Sequence, residues 1–230
     1  MQIHGLNKTT LLDYPGMVAS TVFTGACNFR CPFCQNSDLV LDPSSQPVIS
    51  ENEIIDHLRK RKGIIKGVCV TGGEPTINKD LPEFLKKLKA EDVKVKLDTN
   101  GYNPEMLRFV IKEKLCDYIA MDIKSSFSGY SISAGISIDT EKIKESIELI
   151  MNEGILYEFR TTVVRELHNE ETFEEIGEML KGARSYYLQC FKDSERVLKP
   201  GLHPYSREEL EKFAGILRKT VNSVEIRGID

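Results

Sequence analysis

Short runs of apolar residues alternate along this chain with longer segments in which apolar residues recur every three or four positions. Runs of the first kind are typical of buried strands, and segments of the second kind are typical of amphipathic helices. The pattern predicts helices that alternate with strands at residues 17–24, 67–71, 93–97, 118–123, 155–164, 186–191 and 224–226. Such an alternation predicts βα units arranged around a parallel sheet.

Capping signals mark the positions at which several of these helices begin. Ser50 and Ser206 each precede a glutamate by three positions, which is the pattern of a capping box. Asn103 is followed by Pro104, and proline is favoured at the first position of a helix. Asp80 is expected to cap the helix that follows it, because an aspartate side chain can accept a hydrogen bond from the first helical turn.

The length of the chain favours a partial barrel over a complete one. Six βα units fit into 230 residues, whereas a complete (β/α)8 barrel typically takes about 250 residues. The chain has no internal repeat and no linker that would divide it. The sequence therefore predicts an α/β fold, a partial and open (β/α)6 barrel of the TIM type, in a single domain over residues 1–230. Two long loops, 25–49 and 125–139, are expected to be functional or mobile.

Composition and charge exclude some classes of function. The formal net charge is −4 and the chain has no basic run, so it is a poor candidate for nucleic-acid binding. No stretch approaches the roughly 18 consecutive apolar residues that a membrane-spanning helix needs. Residues 1–12 also lack the pattern of a signal peptide. We therefore expect no membrane span and a location in the reducing cytoplasm.

Three of the six cysteines lie in one short segment. Cys27, Cys31 and Cys34 have the spacing C-x3-C-x2-C, with no fourth cysteine or histidine close behind. Four thiolates usually hold an electron-carrying iron–sulfur cluster, whereas three leave one iron open to a substrate, much as catalytic zinc sites keep an open position. A zinc module with a distant fourth ligand and a simple electron carrier are the alternatives. Of the scattered cysteines, Cys69 and Cys116 are expected to be small buried hydrophobic residues, whereas Cys190 lies near a predicted strand end and could instead face the active site.

Unusual polar residues collect at the predicted carboxyl ends of the strands, where βα barrels carry their chemistry. Gly72 and Gly73 either let the backbone approach a ligand closely or make an ordinary turn. Asp98 and Asp122 end two successive strands, and neighbouring carboxylates repel each other unless a cation lies between them; Asp98 could also be a turn residue. Arg160, inside a strand, needs an anionic partner, either a ligand carboxylate or a structural ion pair.

The cysteine motif, with an aromatic Phe33 before its third cysteine, resembles that of the radical S-adenosylmethionine (SAM) superfamily. Residues 72–75 (Gly-Gly-Glu-Pro) are similar to the superfamily's second motif. Segments 5–16, 98–101 and 122–124 narrow the resemblance to the glycyl-radical-enzyme activating proteins. Within that family they are most similar to the class that activates anaerobic ribonucleoside-triphosphate reductase. The absence of a second cysteine cluster suits this shorter class.

The resemblance implies a cofactor set and the residues that bind it. Cys27, Cys31 and Cys34 would bind three irons of a [4Fe–4S] cluster, and SAM would chelate the fourth iron. Several matched positions would contact SAM: Phe33, Gly72, Gly73, Glu74, Asp98, Lys124 and Arg160. A monovalent cation beside SAM would be held by three positions: Asp98, Thr99 and Asp122.

Two positions match residues that face the substrate in related enzymes, namely Asp13 and Lys192. The chain also departs from its relatives here. Related proteins often have Gln-Gly at positions 25–26, where this chain has Gly-Ala, and they often have histidine where it has Gln35. A related activase has histidine at the position of Lys192. These departures fall at predicted substrate contacts and leave the three cysteines unchanged.

The resemblance also implies an activity. A reduced cluster would cleave SAM to methionine and a 5′-deoxyadenosyl radical, which would take a hydrogen atom from a glycine of the partner. The expected partner is anaerobic ribonucleoside-triphosphate reductase, and a flavodoxin or ferredoxin would supply the electron. No residue has to act as a general acid or base, which agrees with the scattered histidines. The alternative is a radical SAM enzyme that acts on a nucleoside-like small molecule.

Overall fold

The computed structural model describes residues 1–229, which divide into two compact units. The first unit comprises residues 1–28, 38–99 and 103–120, and the second comprises residues 29–37, 100–102 and 121 onward. Each unit is described by itself below. The single-domain organisation expected from the sequence stays a prediction.

Strands and helices alternate through residues 1–229. The strands are β1 (Ile3–Thr10), β2 (Ala19–Thr24), β3 (Gly67–Gly72), β4 (Lys94–Thr99), β5 (Tyr118–Asp122), β6 (Leu156–Val163), β7 (Tyr186–Cys190) and β8 (Val224–Arg227). The helices are α1 (Ser37–Leu41), α2 (Glu51–Lys60), α3 (Leu81–Ala90), α4 (Pro104–Lys112), α5 (Tyr130–Ala134), α6 (Thr140–Asn152), α7 (Glu170–Met179) and α8 (Arg207–Leu217). Each strand from β2 to β7 is followed by a helix, as the sequence predicts for six βα units.

The first unit contains a sheet whose strands follow the order of the chain. Strands β2, β3 and β4 are parallel, and their register places Thr21, Cys69 and Lys96 in one row. Strand β1 is antiparallel to β2, with Thr10 opposite Ala19. Strand β1 is not predicted from the sequence, because residues 3–10 lack a clear apolar alternation. The antiparallel pairing brings the end of β1 to the amino end of β2.

The second unit contains parallel strands β6, β7 and β8, also in chain order. Their register aligns Arg160 with Tyr187 and Tyr187 with Glu225. Helix α8 contacts β7, β8 and α7. The rings of Phe173 and Phe213 stack between α7 and α8 with their centroids 4.6 Å apart. This apolar layer buries one face of the strands and leaves their polar residues on the other face.

Most capping predictions are confirmed at the level of single hydrogen bonds. Asn103 accepts a hydrogen bond from the backbone N–H of Met106, and Ser206 forms the complete capping box of α8. Ser50 caps α2 through its side chain. The prediction for Asp80 was wrong, because its carboxylate pairs with the N-terminal ammonium and makes no cap bond. The two predicted long loops contain the short helices α1 and α5.

Candidate active site

Two glycines at the carboxyl end of β3 let the backbone pass close to the residues before Cys27. Gly72 has φ +116°, and a Cβ there would lie 2.4 Å from the backbone nitrogen of Thr24. A Cβ on Gly73 would lie only 1.8 Å from the carbonyl oxygen of Ala26. No side chain fits at either distance, so this close approach of two backbone segments requires glycine at both positions.

Glu74 continues this loop and is almost fully buried, with 1% of its surface exposed. Its Oε1 accepts hydrogen bonds from the backbone N–H and the hydroxyl of Thr76 and from the hydroxyl of Thr99, the last at 2.8 Å. Its own backbone N–H donates to the carbonyl of Ala26 at 2.8 Å. The carboxylate therefore shapes the loop, and the contact of Glu74 with SAM stays a prediction.

Asp98 lies at the carboxyl end of β4, in the same unit as the glycines. Its carboxylate forms an ion pair with the ammonium of Lys96, two residues earlier on the same face of the strand. The ammonium also lies 3.8 Å from the sulfur of Cys69. Lys96 is only 2% exposed, and buried charges are normally paired. The sequence analysis did not single out this buried lysine.

Asp13, predicted to face the substrate, lies in the loop between β1 and β2. This loop is at the amino end of β2, whereas the cysteine segment follows the carboxyl end. The Asp13 carboxylate accepts a hydrogen bond from the hydroxyl of Thr21. Its predicted role in substrate contact stays a prediction.

Three segments of the second unit hold the loop that carries Cys31 and Cys34. The backbone N–H of Arg30 donates to the carbonyl of Ala134 at 2.8 Å, at the end of α5. The backbone N–H groups of Leu198 and Lys199 donate to the carbonyls of Cys34 and Pro32, at 3.1 and 2.9 Å. The side-chain amide of Gln35 donates to the carbonyl of Lys192 at 2.8 Å. Lys192, predicted to face the substrate, thus contributes its backbone to the support of this loop.

The Cys31 thiol is buried, and its burial raises its pKa to about 11, although the nearby charge of Lys124 acts in the opposite direction. At neutral pH such a thiol keeps its proton until a metal displaces it, because the thiolate is the species that binds metal. Three thiols in one loop are a donor set that fits an iron–sulfur cluster. Within residues 1–229, no three His, Cys, Asp or Glu side chains lie close enough together to hold a metal ion as they stand.

Asp122 ends β5 between two cations of the second unit. The Nε of Arg160 and the Nζ of Lys124, the latter at 3.0 Å, both contact its carboxylate. Burial alone would raise the pKa of Asp122, but the charges of Arg160 and Lys124 outweigh it and hold the pKa well below its usual range. Burial would likewise lower the pKa of Lys124, and the charge of Asp122 raises it instead. All three groups are therefore ionised at neutral pH.

Phe33, between the second and third motif cysteines, is buried beside this cluster of charges. The ammonium of Lys124 lies 5.8 Å from the centre of its ring, and the imidazole of His168 meets the ring edge-on at 6.4 Å. His168 accepts a hydrogen bond at Nδ1 from the backbone N–H of Val164 and is 2.9 Å from the carbonyl of Lys124 through Nε2. Burial lowers the pKa of His168 to about 4, so the ring is neutral and donates from Nε2.

Glu158 and Arg227 form a second ion pair in this unit that is not predicted from the sequence. Glu158 is 1% exposed, and Arg227 contacts both of its carboxylate oxygens, at 3.0 and 3.1 Å. The guanidinium of Arg227 in turn lies over the ring of Tyr187. Arg160 comes within 4.0 Å of Glu158. Glu158 therefore links Arg227 at the end of the chain to the arginine that binds Asp122.

The sequence profile of the radical SAM superfamily matches residues 21–182, more than two thirds of the chain. The chain belongs to the radical SAM superfamily. It is a radical SAM enzyme, and its cofactors are a [4Fe–4S] cluster and SAM. This membership decides against the zinc module and the simple electron carrier. In the described part of the chain, no helix is both long and apolar enough to cross a bilayer.

Similar proteins include several radical SAM enzymes. A Methanocaldococcus jannaschii protein, named as an inferred glycyl-radical enzyme activating enzyme, is 32% identical over 237 residues, which cover 99% of this chain and 96% of the relative. The GTP 3′,8-cyclase of Helicobacter pylori (strain 26695) is 25% identical over 170 residues, which cover 72% of this chain and 51% of the cyclase. The chain thus spans about half the length of that cyclase. The first relative confirms the expected resemblance to glycyl-radical-enzyme activating proteins.

Solved structures share the fold at lower sequence identity. Streptococcus suis SuiB bound to S-adenosylmethionine has a TM-score of 0.70 and 15% identity, over 89% of this chain and 49% of SuiB. A domain of the pyruvate-formate lyase-activating enzyme from Bacteroides vulgatus has a TM-score of 0.58 and 19% identity, over 71% of this chain and 99% of that domain. At such identities the likeness shows the fold alone. It confirms the α/β fold of the radical SAM type with an open, partial barrel.

Proposed function

We propose that this protein is a glycyl-radical-enzyme activase that uses SAM to install a radical on a glycine of a partner enzyme. The observation that carries the proposal is the similarity to the M. jannaschii relative, which extends over nearly the full length of both chains at 32% identity. The fold supports the proposal but does not distinguish it from other radical SAM activities.

In this proposal Cys27, Cys31 and Cys34 hold the cluster. When bound and reduced, the cluster supplies the electron that divides SAM into methionine and a 5′-deoxyadenosyl radical. The side chains and backbone groups of this chain bind and orient SAM beforehand and exclude water. Seven further residues are proposed to contact SAM: Phe33, Gly72, Gly73, Glu74, Asp98, Lys124 and Arg160.

The local geometry of each unit supports these roles. The loop at Gly72 and Gly73 is fixed by backbone contacts, so its peptide groups are preorganised for a ligand. Lys124 and Arg160 are ionised and converge on Asp122, which is an arrangement that suits the recognition of a carboxylate or a ribose hydroxyl. Phe33 is buried and offers its backbone and an apolar ring edge. No general acid or base is needed among them.

The partner proposed is anaerobic ribonucleoside-triphosphate reductase, with a flavodoxin or ferredoxin as the electron donor, in the cytoplasm. The choice of partner rests on the sequence motifs at residues 5–16, 98–101 and 122–124. Asp13 and Lys192 are the residues that we propose to test for contact with the partner.

The test is an EPR experiment on the reconstituted, reduced protein mixed with SAM and the candidate reductase under anaerobic conditions. We expect the doublet of a glycyl radical to appear in the reductase. The variant Cys31→Ala should lose bound iron and give no doublet, whereas Cys116→Ala, which removes a buried thiol outside the motif, should retain both. A doublet formed without SAM, or with Cys31→Ala, would contradict the proposal.

A second candidate function is supported by the similarity to GTP 3′,8-cyclase. In that case the radical would act on a nucleoside-like small molecule and no partner protein would be modified. Mass spectrometry of the small-molecule fraction separates the two functions. A SAM-dependent change in a nucleotide, together with an unmodified reductase, would favour this alternative over the activase.

A further inference from the structure

Lys96 places a positive charge inside the sheet of the first unit. It lies on β4 in the same row as Thr21 and Cys69, and only 2% of its surface is exposed. Its ammonium contacts the carboxylate of Asp98, whose side chain is 11% exposed. Lysine is almost never fully buried without a partner, so this ion pair is what allows both side chains to occupy the interior of the unit.

The three residues predicted to hold a monovalent cation already have partners from the protein. Asp98 is paired with Lys96. The hydroxyl of Thr99 donates to the carboxylate of Glu74 at 2.8 Å, which leaves only the lone pairs of its oxygen to face an ion. Asp122 is paired with both Lys124 and Arg160. An additional Na⁺ or K⁺ at either carboxylate would lie beside an ammonium or guanidinium that already contacts it. Like charges repel, so the residues present do not suit a separately bound ion.

We propose that the ammonium of Lys96 supplies, from within the chain, the positive charge at Asp98 that a soluble monovalent cation would otherwise supply. The inference rests on the proposed function, because it takes the end of β4 to be part of the SAM site. An ammonium is a compact, strongly charged group on a flexible stem, and a tethered charge needs no free ion from solution to stay in place. SAM binding should then be insensitive to the identity of the monovalent cation in the buffer.

The first test is the affinity of the reconstituted wild-type protein for SAM, measured by isothermal titration calorimetry at constant ionic strength. The salt is tetramethylammonium chloride, NaCl or KCl, and tetramethylammonium is too large for a site built for Na⁺ or K⁺. We expect the dissociation constant to agree within about twofold among the three salts. A tenfold weakening in tetramethylammonium would overturn the proposal, because it would show that a soluble ion is needed.

The second test is the variant Lys96→Met, with Lys94→Met as a matched control. Lys94 lies on the same strand, but its ammonium pairs with Asp117 and not with Asp98. We expect Lys96→Met to bind SAM at least tenfold more weakly in tetramethylammonium and to recover in KCl or NaCl, with Lys94→Met behaving like the wild type. Wild-type affinity of Lys96→Met in tetramethylammonium would refute the role of Lys96.

The melting temperature provides a second readout that does not depend on SAM and shows whether the variant folds. For Lys96→Met, the melting temperature should rise when Na⁺ or K⁺ replaces tetramethylammonium, because an ion that binds the folded state stabilises it; the wild type should show no such rise. If Lys96→Met does not fold, the wild-type salt series still decides the question. Normal SAM binding without a glycyl radical in any partner would defeat the proposed function and leave this inference standing.

Discussion

Replacing Gly73 by alanine tests the close approach of the backbone segments that end β2 and β3. The new Cβ would lie 1.8 Å from the carbonyl oxygen of Ala26, whereas a carbon–oxygen contact needs about 3.3 Å. The two segments must therefore separate by roughly 1.5 Å, which follows from the same contact distance. Such a shift breaks the 2.8 Å hydrogen bond from the backbone N–H of Glu74 to Ala26.

The energetic cost follows from these contacts. A buried N–H left without its acceptor costs about 1–3 kcal/mol, and forcing extra volume into a packed site costs about 1–3 kcal/mol more. The lower flexibility of alanine in the unfolded chain returns about 0.4–1 kcal/mol. We therefore expect Gly73→Ala to lower the free energy of unfolding by about 1–5.5 kcal/mol, against the reserve of about 5–15 kcal/mol that folded proteins have.

The assay is urea unfolding of the cluster-free proteins, followed by circular dichroism, with the iron content after reconstitution as a second readout. Gly215→Ala is the matched control, because Gly215 lies within α8 and a Cβ there would meet nothing within 4 Å. That variant should gain about 0.5–1 kcal/mol. The reasoning is refuted if Gly73→Ala unfolds within about 0.5 kcal/mol of the wild type, the usual range for harmless substitutions.

Two further predictions concern buried ionisable side chains in the second unit. Arg227→Met should lower the free energy of unfolding by about 2–3 kcal/mol, because the buried Glu158 carboxylate loses the guanidinium that contacts both of its oxygens. Adding Glu158→Gln should recover at least half of the loss. Strictly additive effects of the two substitutions in urea unfolding would contradict this coupling. The pKa of His168 is about 4 in the folded protein and about 6.5 in the unfolded chain. As the pH falls below about 6.5, the unfolded chain therefore takes up a proton that the folded protein does not, and the free energy of unfolding decreases. The loss between pH 7 and pH 5 should be about 2 kcal/mol, and a His168→Gln variant whose unfolding has the same pH dependence would exclude His168 as its source.

The sequence predicted the elements that depend on local signals. Asn103 and Ser206 predict the starts of two helices, and the structure confirms both. A cap can be predicted in this way because it is a contact between residues that are neighbours in the chain. Asp80 carries the same kind of signal, yet the N-terminal ammonium competes for its carboxylate. That competitor is far away in sequence, so no local pattern could reveal it. Strand β1 was missed for a similar reason, since its pairing with β2, rather than its own composition, makes it a strand.

Alternation in the sequence locates the charged residues on one face of each strand but does not show that they are buried. Residues 94–98 (Lys-Val-Lys-Leu-Asp) and 158–162 (Glu-Phe-Arg-Thr-Thr) place charged or polar residues at every second position. This pattern usually indicates a strand with one face in water. Lys96 and Glu158 are buried all the same, because each has a partner of opposite charge on the same face. Which face of a strand is covered depends on tertiary packing, which the sequence pattern does not specify.

The support of the cysteine loop by distant residues has a consequence for the order of events during synthesis. Gln35 and Lys192, which share a hydrogen bond, are 157 positions apart in the chain. At roughly 5–20 residues per second, the ribosome needs about 8–30 s to make the intervening segment. Leu198 and Lys199, whose backbone bonds hold Cys34 and Pro32, emerge later still. Throughout that interval the nascent cysteine loop lacks these three contacts, and we therefore expect the cluster to be loaded at the end of translation or after it.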